Sequence, residues 1–316
     1  MQIAVLIPCY NEEQTVGAVI QDFQKELPEA TIYVYDNNSK DRTSEVAAAH
    51  GAVVKKEIRQ GKGNVVRSMF REIEADCYVM VDGDDTYPAH FVHQLIEPIK
   101  NNEANMVIGD RLSNGTYTEE NKRPMHNFGN NLVKGCINFL YKSDVKDIMT
   151  GYRAFDSLFV KSMPVMSPGF EIETEMTIHA LENRLAIKEI PIEYRDRPEG
   201  SESKLNTVSD GLKVLGTIFT LFKEYKPMIF FSIWSLIFLF FGLAVGMPVI
   251  AEFVWTGYIF KIPSAILAVG LIILSVLSFI CGLILDTVAE NHKRQYELEL
   301  NHIYNQRVKG RVRSEF

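Results

Sequence analysis

The stretch VMVDGDDTYPAHF, residues 79–91, carries an apolar run straight into three aspartates, Asp82, Asp84 and Asp85. With the residues before it the run reads CYVMVD, short, apolar and ended by a glycine-bearing turn, which is the pattern of a buried strand. Like charges at the end of such a strand repel one another unless something compensates them. Asp82 and Asp84 flank Gly83, and a turn there brings both carboxylates onto one hard divalent cation, which in turn holds a diphosphate. A second reading competes: a solvated turn in which Asp85 caps the following helix.

Outward from that stretch, the preceding residues alternate between strand-like and helix-like segments. IAVLIP reads as a strand, EEQTVGAVIQDFQKEL as a helix, ATIYVYD as a strand, SEVAAAHG as a helix ending at Gly51, VVKKE as a short strand and NVVRSMFREIEA as a helix. Strands separated by single helices imply a mostly parallel sheet covered on both faces. Ligands of such sheets sit beyond the carboxyl ends of the strands. Three polar clusters fall there: PCYNEE, DNNSKDRT and DGDDTYP. Asp36 taken alone reads first as a turn or helix-cap residue; with its two neighbouring clusters it reads as part of a nucleotide site. The chain has no internal repeat and no low-complexity segment.

Composition narrows the function further. The 316 residues are 47% hydrophobic and 23% charged, with a net charge of -7 and no long block of either sign. Nucleic acid is therefore not the expected partner, and anionic ligands need local sites. Cys9, Cys77, Cys136 and Cys281 lie far apart without CxxC or Cys/His spacing, which argues against zinc and against a disulfide framework, and fits a reducing compartment. Met1 opens directly into QIAVLIP without a basic leader, so no signal peptide is expected and the N-terminal part is expected in the cytoplasm.

The C-terminal third is different in kind. MIFFSIWSLIFLFFGLAVGMPVI (228–250) and SAILAVGLIILSVLSFICGLIL (264–285) carry no charge and each exceeds or matches the roughly 20 apolar residues that cross a bilayer. They read as a membrane hairpin; two buried helices of a soluble domain are the alternative. Lys213, Lys223 and Lys226 precede the first run, Lys293 and Arg294 follow the second, and Lys261 stands between them with Trp255 and Tyr258. That bias places both termini in the cytoplasm. Leu205, Val208, Leu212, Leu215, Ile218, Phe219 and Phe222 recur at helical spacing just before the first run, as in an amphipathic helix lying in the membrane interface, or one packed on the soluble domain. Gly242 and Gly246 offer small residues for association between hairpins, as in a homo-oligomer.

The motifs IPCYNEE, DNNSKDRT, GKGN and DGDDTY, in this order, resemble glycosyltransferase family 2, inverting enzymes of the GT-A (Rossmann-like) fold that use nucleotide-sugar donors. MTGYRAF (149–155), GFEIETEM (169–176) and YRDRPEGSESKL (194–205) resemble its polyprenyl-phosphate glycosyltransferase branch, and the resemblance runs from residue 1 to about 210. It implies a GT-A catalytic domain over 1–204, an amphipathic helix over 205–227, two transmembrane helices over 228–286 and a cytoplasmic tail over 287–316. It further implies that Pro8, Tyr10, Glu12 and Asp36 line the nucleoside pocket, that Lys62 stands near the phosphates, and that Asp82 and Asp84 bind Mg²⁺ or Mn²⁺ with the donor diphosphate. Arg111, Arg153, Arg197 and Lys204 match the basic positions around the donor diphosphate and lipid phosphate. Asp84, Arg153, Arg197 and Glu171 form the implied catalytic set, with Glu171 and Glu173 orienting acceptor or sugar.

The implied reaction is a single displacement in which a polyprenyl (undecaprenyl or dolichyl) phosphate attacks the anomeric carbon and a nucleoside diphosphate leaves. A phosphate monoester is largely ionised at neutral pH, so no strong base is needed. UDP-glucose or UDP-N-acetylglucosamine is the expected donor. Two departures from the branch bear on this: Asn37 and Asn38 stand where it commonly has Asp and Gly, and Thr86 stands where it has a glutamine beside the metal. A saccharide acceptor, and a noncatalytic membrane partner of a flippase or assembly complex, are the rival functions. Residues 112–148 are expected to form a loop and a helix, in which Lys122, Arg123 and His126 meet lipid phosphate or stay solvated.

Overall fold

A computed structural model describes residues 1–113, 124–195, 216, 219, 220, 222, 223 and 226–314. The chain divides into two compact units, Met1–Val214 with Glu299–Phe316, and Leu215–Leu298.

The first unit is built on seven strands: β1 Ile3–Cys9, β2 Thr31–Asp36, β3 Val53–Lys56, β4 Cys77–Met80, β5 Met106–Asp110, β6 Arg153–Asp156 and β7 Ile187–Pro191. Their order across the sheet is β3-β2-β1-β4-β6-β5-β7. β1 and β4 are apolar from end to end because the sheet buries both their faces. Helices α1 (Val16–Glu26), α2 (Thr43–Ala49), α3 (Lys62–Glu72) and α4 (Val92–Lys100) connect the strands. α1 turns Val16, Val19, Ile20 and Phe23 onto the core, the three-and-four spacing of a helix with one apolar face. Its first expected residues, from Glu12 to Thr15, instead form a turn in which Glu12 O accepts from Thr15 N and Val16 N.

β1 to β4 are mutually parallel, so Cys9, Asp36, Lys56 and Met80 end on one edge of the sheet. β6 enters against this direction: Met80 pairs with Arg153 and Cys77 with Asp156. β5 also pairs antiparallel with β6, and β7 parallel with β5. The start of β6 therefore lies at the same edge as the end of β4. Helix α5 (Pro124–Tyr141) lies between β5 and β6 in the chain, as expected for residues 112–148, while residues 114–123 and the side chains of Lys122, Arg123 and His126 lie outside the described ones. After β6 come α6 (Ser157–Ser162) and α7 (Ile172–Glu182).

The second unit contains helix α8, Pro227–Thr256, and most of helix α9, Ile262–Ser314. Both are long and apolar enough to cross a membrane. At 1.5 Å per residue the 30 residues of α8 span roughly 45 Å. Gly257, in the left-handed region at φ 73°, ends it. Apolar side chains face outward along both helices, with Trp255 at 88% exposure. α9 does not stop at the end of its apolar run: the expected separate tail continues the same helix to Ser314. Most of residues 205–227 lies outside the described ones, but Phe219 and Phe222 set ring edges on Phe230 at 5.0 and 5.6 Å. Gly242 and Gly246, expected to serve association between copies, are used within the chain. A Cβ on Gly242 would stand 2.9 Å from Ile272 Cδ1, and one on Gly246 3.2 Å from Ala268 Cβ. The Ser235 and Ser275 hydroxyls, 3.1 Å apart, bond across the same helix pair.

Phe23 is fully buried and sets its ring 6.0 Å from that of Tyr152, at the functional edge of the sheet. Phe23→Ala is expected to lower stability by about 3–5 kcal/mol, read as a drop in the unfolding midpoint of the detergent-purified chain.

Candidate active site

The three polar clusters at the sheet edge are tied together by hydrogen bonds between loops. Asn37 N donates to Cys9 O at 2.9 Å. Ser39 Oγ accepts from Asn11 N at 2.9 Å and Thr43 Oγ1 from Glu12 N at 2.8 Å. Thr15 Oγ1 donates to Gly83 O at 2.6 Å, which joins the first loop to the third. Pro8, Tyr10 and Glu12 stand half-buried on this framework. Asp36 is buried, and its carboxylate accepts from Ser39 N at 2.9 Å and Ser44 Oγ at 2.7 Å, so it does the turn-holding work that was one of its two sequence readings. Asn37 is the true staple of this corner: its amide donates to Glu57 O and Arg59 O and accepts from Gly61 N at 2.6 Å. The sequence marked it only as a departure from a family pattern.

In the DGDDTY turn, Asp82 is half-buried and Asp84 buried. Asp84 Oδ1 accepts from Thr86 Oγ1 at 2.7 Å. Thr86, read from the sequence as a missing metal ligand, thus orients a carboxylate instead. Asp85 sits in the left-handed region at φ 59°, and neither the 3₁₀ turn Ala89–Phe91 nor α4 has a side-chain cap, so the capping alternative for Asp85 is not realised. Lys62, the first residue of α3, places Nζ 2.5 Å from Asp82 Oδ1 and 2.5 Å from Glu173 Oε1. Burial alone would favour a neutral amine, but the two carboxylates outweigh it and hold the Lys62 pKa above its ordinary value.

The antiparallel entry of β6 brings residues 147–153 to this turn. Gly151 N donates to Tyr87 Oη at 3.1 Å, and a Cβ at Gly151 would stand 2.4 Å from Asp82 Oδ2. Only glycine lets the loop pass so close to that carboxylate. Arg111 grips Asp147 with Nε at 2.8 Å and Nη2 at 3.0 Å, and stacks over Tyr194 with Cζ 5.5 Å from the ring centroid. Burial of Asp147 would raise its pKa, yet the Arg111 charge and hydrogen bonds hold it below the ordinary 3.8.

Arg153, which the resemblance sets among the basic positions around the phosphates, is turned into the core instead. It is 0% exposed, and its guanidinium donates to Ile148 O at 2.5 Å, Thr150 O at 3.0 Å and Thr177 Oγ1 at 3.0 Å. Burial pulls its pKa down to about 10, which still leaves it charged at neutral pH. Arg153 fastens the 148–150 loop to α7 from inside. Glu171 precedes α7 and keeps Oε2 buried without a hydrogen-bond partner, whereas Glu173 is engaged by Lys62. Arg195 N donates to Thr86 O at 2.9 Å, so the chain after β7 returns to the turn; Arg197 and Lys204 lie outside the described residues. Asp147 and Tyr87 went unread in the sequence. The only signal for Asp147 is an acidic residue set against the apolar pair Ile148 and Met149, and nothing periodic marks it.

Among the described residues no group of three or more His, Cys, Asp or Glu side chains forms a complete metal site. The Asp82/Asp84 pair is a partial, all-oxygen donor set, which fits a hard divalent cation that takes its remaining ligands from phosphate oxygens and water.

One edge of the α/β sheet thus carries paired carboxylates, a lysine and a loop that passes them on a glycine. Residues 4–160 match the profile of glycosyl transferase family 2. The chain is 30% identical over 304 residues to glycosyltransferase AglJ of Haloferax volcanii, covering 94% of this chain and 98% of that one. It is 28% identical over 289 residues to the dolichol-phosphate mannosyltransferase of Pyrococcus furiosus, covering 88% and 78%. Among solved structures it superposes on glucosyl-3-phosphoglycerate synthase of Mycobacterium tuberculosis with a TM-score of 0.57 at 22% identity, covering 69% of this chain and 80% of that one. The complex of that synthase with Mn²⁺ and UDP-glucose gives 0.51 at 25% identity, covering 70% and 78%. The chain belongs to glycosyl transferase family 2, has the GT-A fold and is a glycosyltransferase.

The Arg111–Asp147 pair is buried, so removing one partner strands the other's charge. Asp147→Ala is expected to cost about 3–5 kcal/mol. Because the folded pKa of Asp147 is depressed, its contribution is full above the unfolded value and drains as pH falls through the folded value, below 3.8. Asp147→Asn is expected to blunt the acid limb of a stability-versus-pH curve.

Proposed function

We propose that this enzyme is a membrane-bound, inverting transferase that moves a hexose from a nucleoside diphosphate sugar to a polyprenyl phosphate. The observation that carries the reading is the union, in one chain, of the Asp82/Asp84/Lys62 cluster at the sheet edge with two helices long enough to span a bilayer. The first suits a diphosphate, and the second suits an acceptor whose isoprenoid chain stays in lipid. Relatives that act on dolichyl and undecaprenyl phosphates support the acceptor class. UDP-glucose or UDP-N-acetylglucosamine is the proposed donor, supported by the UDP-glucose complex of the structural neighbour. The lysine and arginine bias around the spans supports cytoplasmic termini and a cytoplasmic catalytic unit.

In this reading Asp82 and Asp84 hold Mg²⁺ or Mn²⁺, with Thr86 fixing Asp84. The bound cation supplies charge neutralisation for the departing nucleoside diphosphate. Pro8, Tyr10 and Glu12 line the nucleoside pocket, and Asp36 shapes it by holding its turn. The acceptor phosphate oxygen forms the new bond to the anomeric carbon as the bond to the donor diphosphate breaks, and the electron pair leaves on the diphosphate. Glu171, whose buried Oε2 has no hydrogen-bond partner, orients the sugar or acceptor in this reading. Arg111 contributes positive charge to the site while held by Asp147. Arg153 positions the loop that confines Asp82. Arg197 and Lys204 meet the lipid phosphate.

Purified protein in detergent, given radiolabelled UDP- and GDP-sugars and undecaprenyl or dolichyl phosphate, is expected to form one glycolipid with Mn²⁺ and none with EDTA. Absence of lipid-linked product from every donor, with nucleotide binding intact, would overturn the acceptor. Thr86→Val removes the hydroxyl that orients Asp84 and is expected to lower turnover roughly 10–100-fold.

A further inference from the structure

We propose that Lys62 and the divalent cation compete for one oxygen of Asp82, with Glu173 as the positioning residue that holds Lys62 in reach. Metal and donor diphosphate then bind as a coupled pair. The inference rests on the donor-site reading above and deepens it.

Lys62 Nζ lies 2.5 Å from Asp82 Oδ1. A Mg²⁺-type bond to that oxygen would measure about 2.0–2.1 Å, which would crowd two cations onto one atom. Two cations on one oxygen repel each other, and partial burial of the site screens that repulsion less than bulk water would. One of three things has to give: Asp82 turns away, the metal stays off, or Lys62 moves.

Asp82, with 27% of its side chain exposed, is bounded on one side by Lys62 and on the other by Gly151. The backbone of Gly151 closes its other side so tightly that a Cβ there would fall 2.4 Å from Oδ2, and that loop is fastened from beneath by Arg153 and by Tyr87. Lys62 is the movable member. Its side chain is 10% exposed and swings from the first residue of α3, while Glu173, 5% exposed, stays as its second partner on α7. A diphosphate arriving at the turn offers Lys62 fresh anionic oxygens and releases Asp82 for the metal. Glu173 then serves neither acceptor nor sugar; it prevents the ammonium from committing wholly to Asp82.

The test is Mn²⁺ binding to the full-length protein in detergent, followed by the electron paramagnetic resonance of free Mn²⁺, without nucleotide and with saturating UDP or GDP. In the wild type, nucleotide is expected to tighten Mn²⁺ roughly 5–150-fold, and Mn²⁺ to tighten that nucleotide by the same factor. Lys62→Met is expected to bind Mn²⁺ alone about tenfold tighter and to lose about the same factor from the coupling. Glu173→Gln leaves Lys62 with Asp82 alone and is expected to weaken Mn²⁺ binding without nucleotide. The double variant Lys62→Met/Glu173→Gln removes the buried pair together, so it tests the coupling even if Lys62→Met alone fails to fold. A charge effect without competition would tighten Mn²⁺ equally with and without nucleotide, leaving the coupling unchanged, and that result would overturn the inference alone. A wild-type protein that binds neither nucleotide with Mn²⁺ would overturn the donor-site reading with it.

Discussion

Everything at the functional edge depends on the direction of one short strand. β6 runs against β4, with Met80 opposite Arg153, and this reversal delivers residues 147–152 to the end of β4 rather than to the far side of the sheet. A parallel β6 would carry the same residues away from the carboxylates. The reversal also sets β5 beside β6, so Asp110 and Arg111 finish at the same edge, and β7 follows β5 in parallel and returns the chain to Thr86. Three separated segments of sequence thereby reach one turn.

Charge is handled in two layers there. Beneath the turn, Arg153 and the Arg111–Asp147 pair are buried and satisfied by carbonyls, a hydroxyl and each other. Buried ion pairs of this kind add little net stability but are costly to break one-sidedly. At the turn itself, Lys62 bridges Asp82 and Glu173, and Asp84 is held by Thr86. The buried groups are satisfied by one another and by the backbone, whereas Lys62 divides its ammonium between two carboxylates.

The membrane-length unit follows different physics. Its helices approach closely where Gly242 and Gly246 meet Ala268 and Ile272, and the Ser235–Ser275 contact gives a polar link in the same pair. In lipid, where apolar burial between helices brings little, small residues and hydroxyl contacts drive such packing. The glycine spacing that suggests association between copies is thus used by the hairpin itself.

The sequence by itself determined the order of the first strands and helices, the two apolar spans, and the placing of PCYNEE, DNNSKDRT and DGDDTY at strand ends. These features are local, since period, run length and turn residues decide them. It also marked Lys62, Asp82, Asp84 and Glu173 by motif. Tertiary structure alone decided what each contacts. It turned Arg153 inward, engaged Arg111 with Asp147, made Thr86 the partner of Asp84, and converted Asn37 from a departure into a staple. The physical reason is that, apart from the local Thr86–Asp84 bond, these roles come from pairing across 20 or more residues of chain, where the reversed strand and the packing of α7, rather than any local pattern, choose the partner.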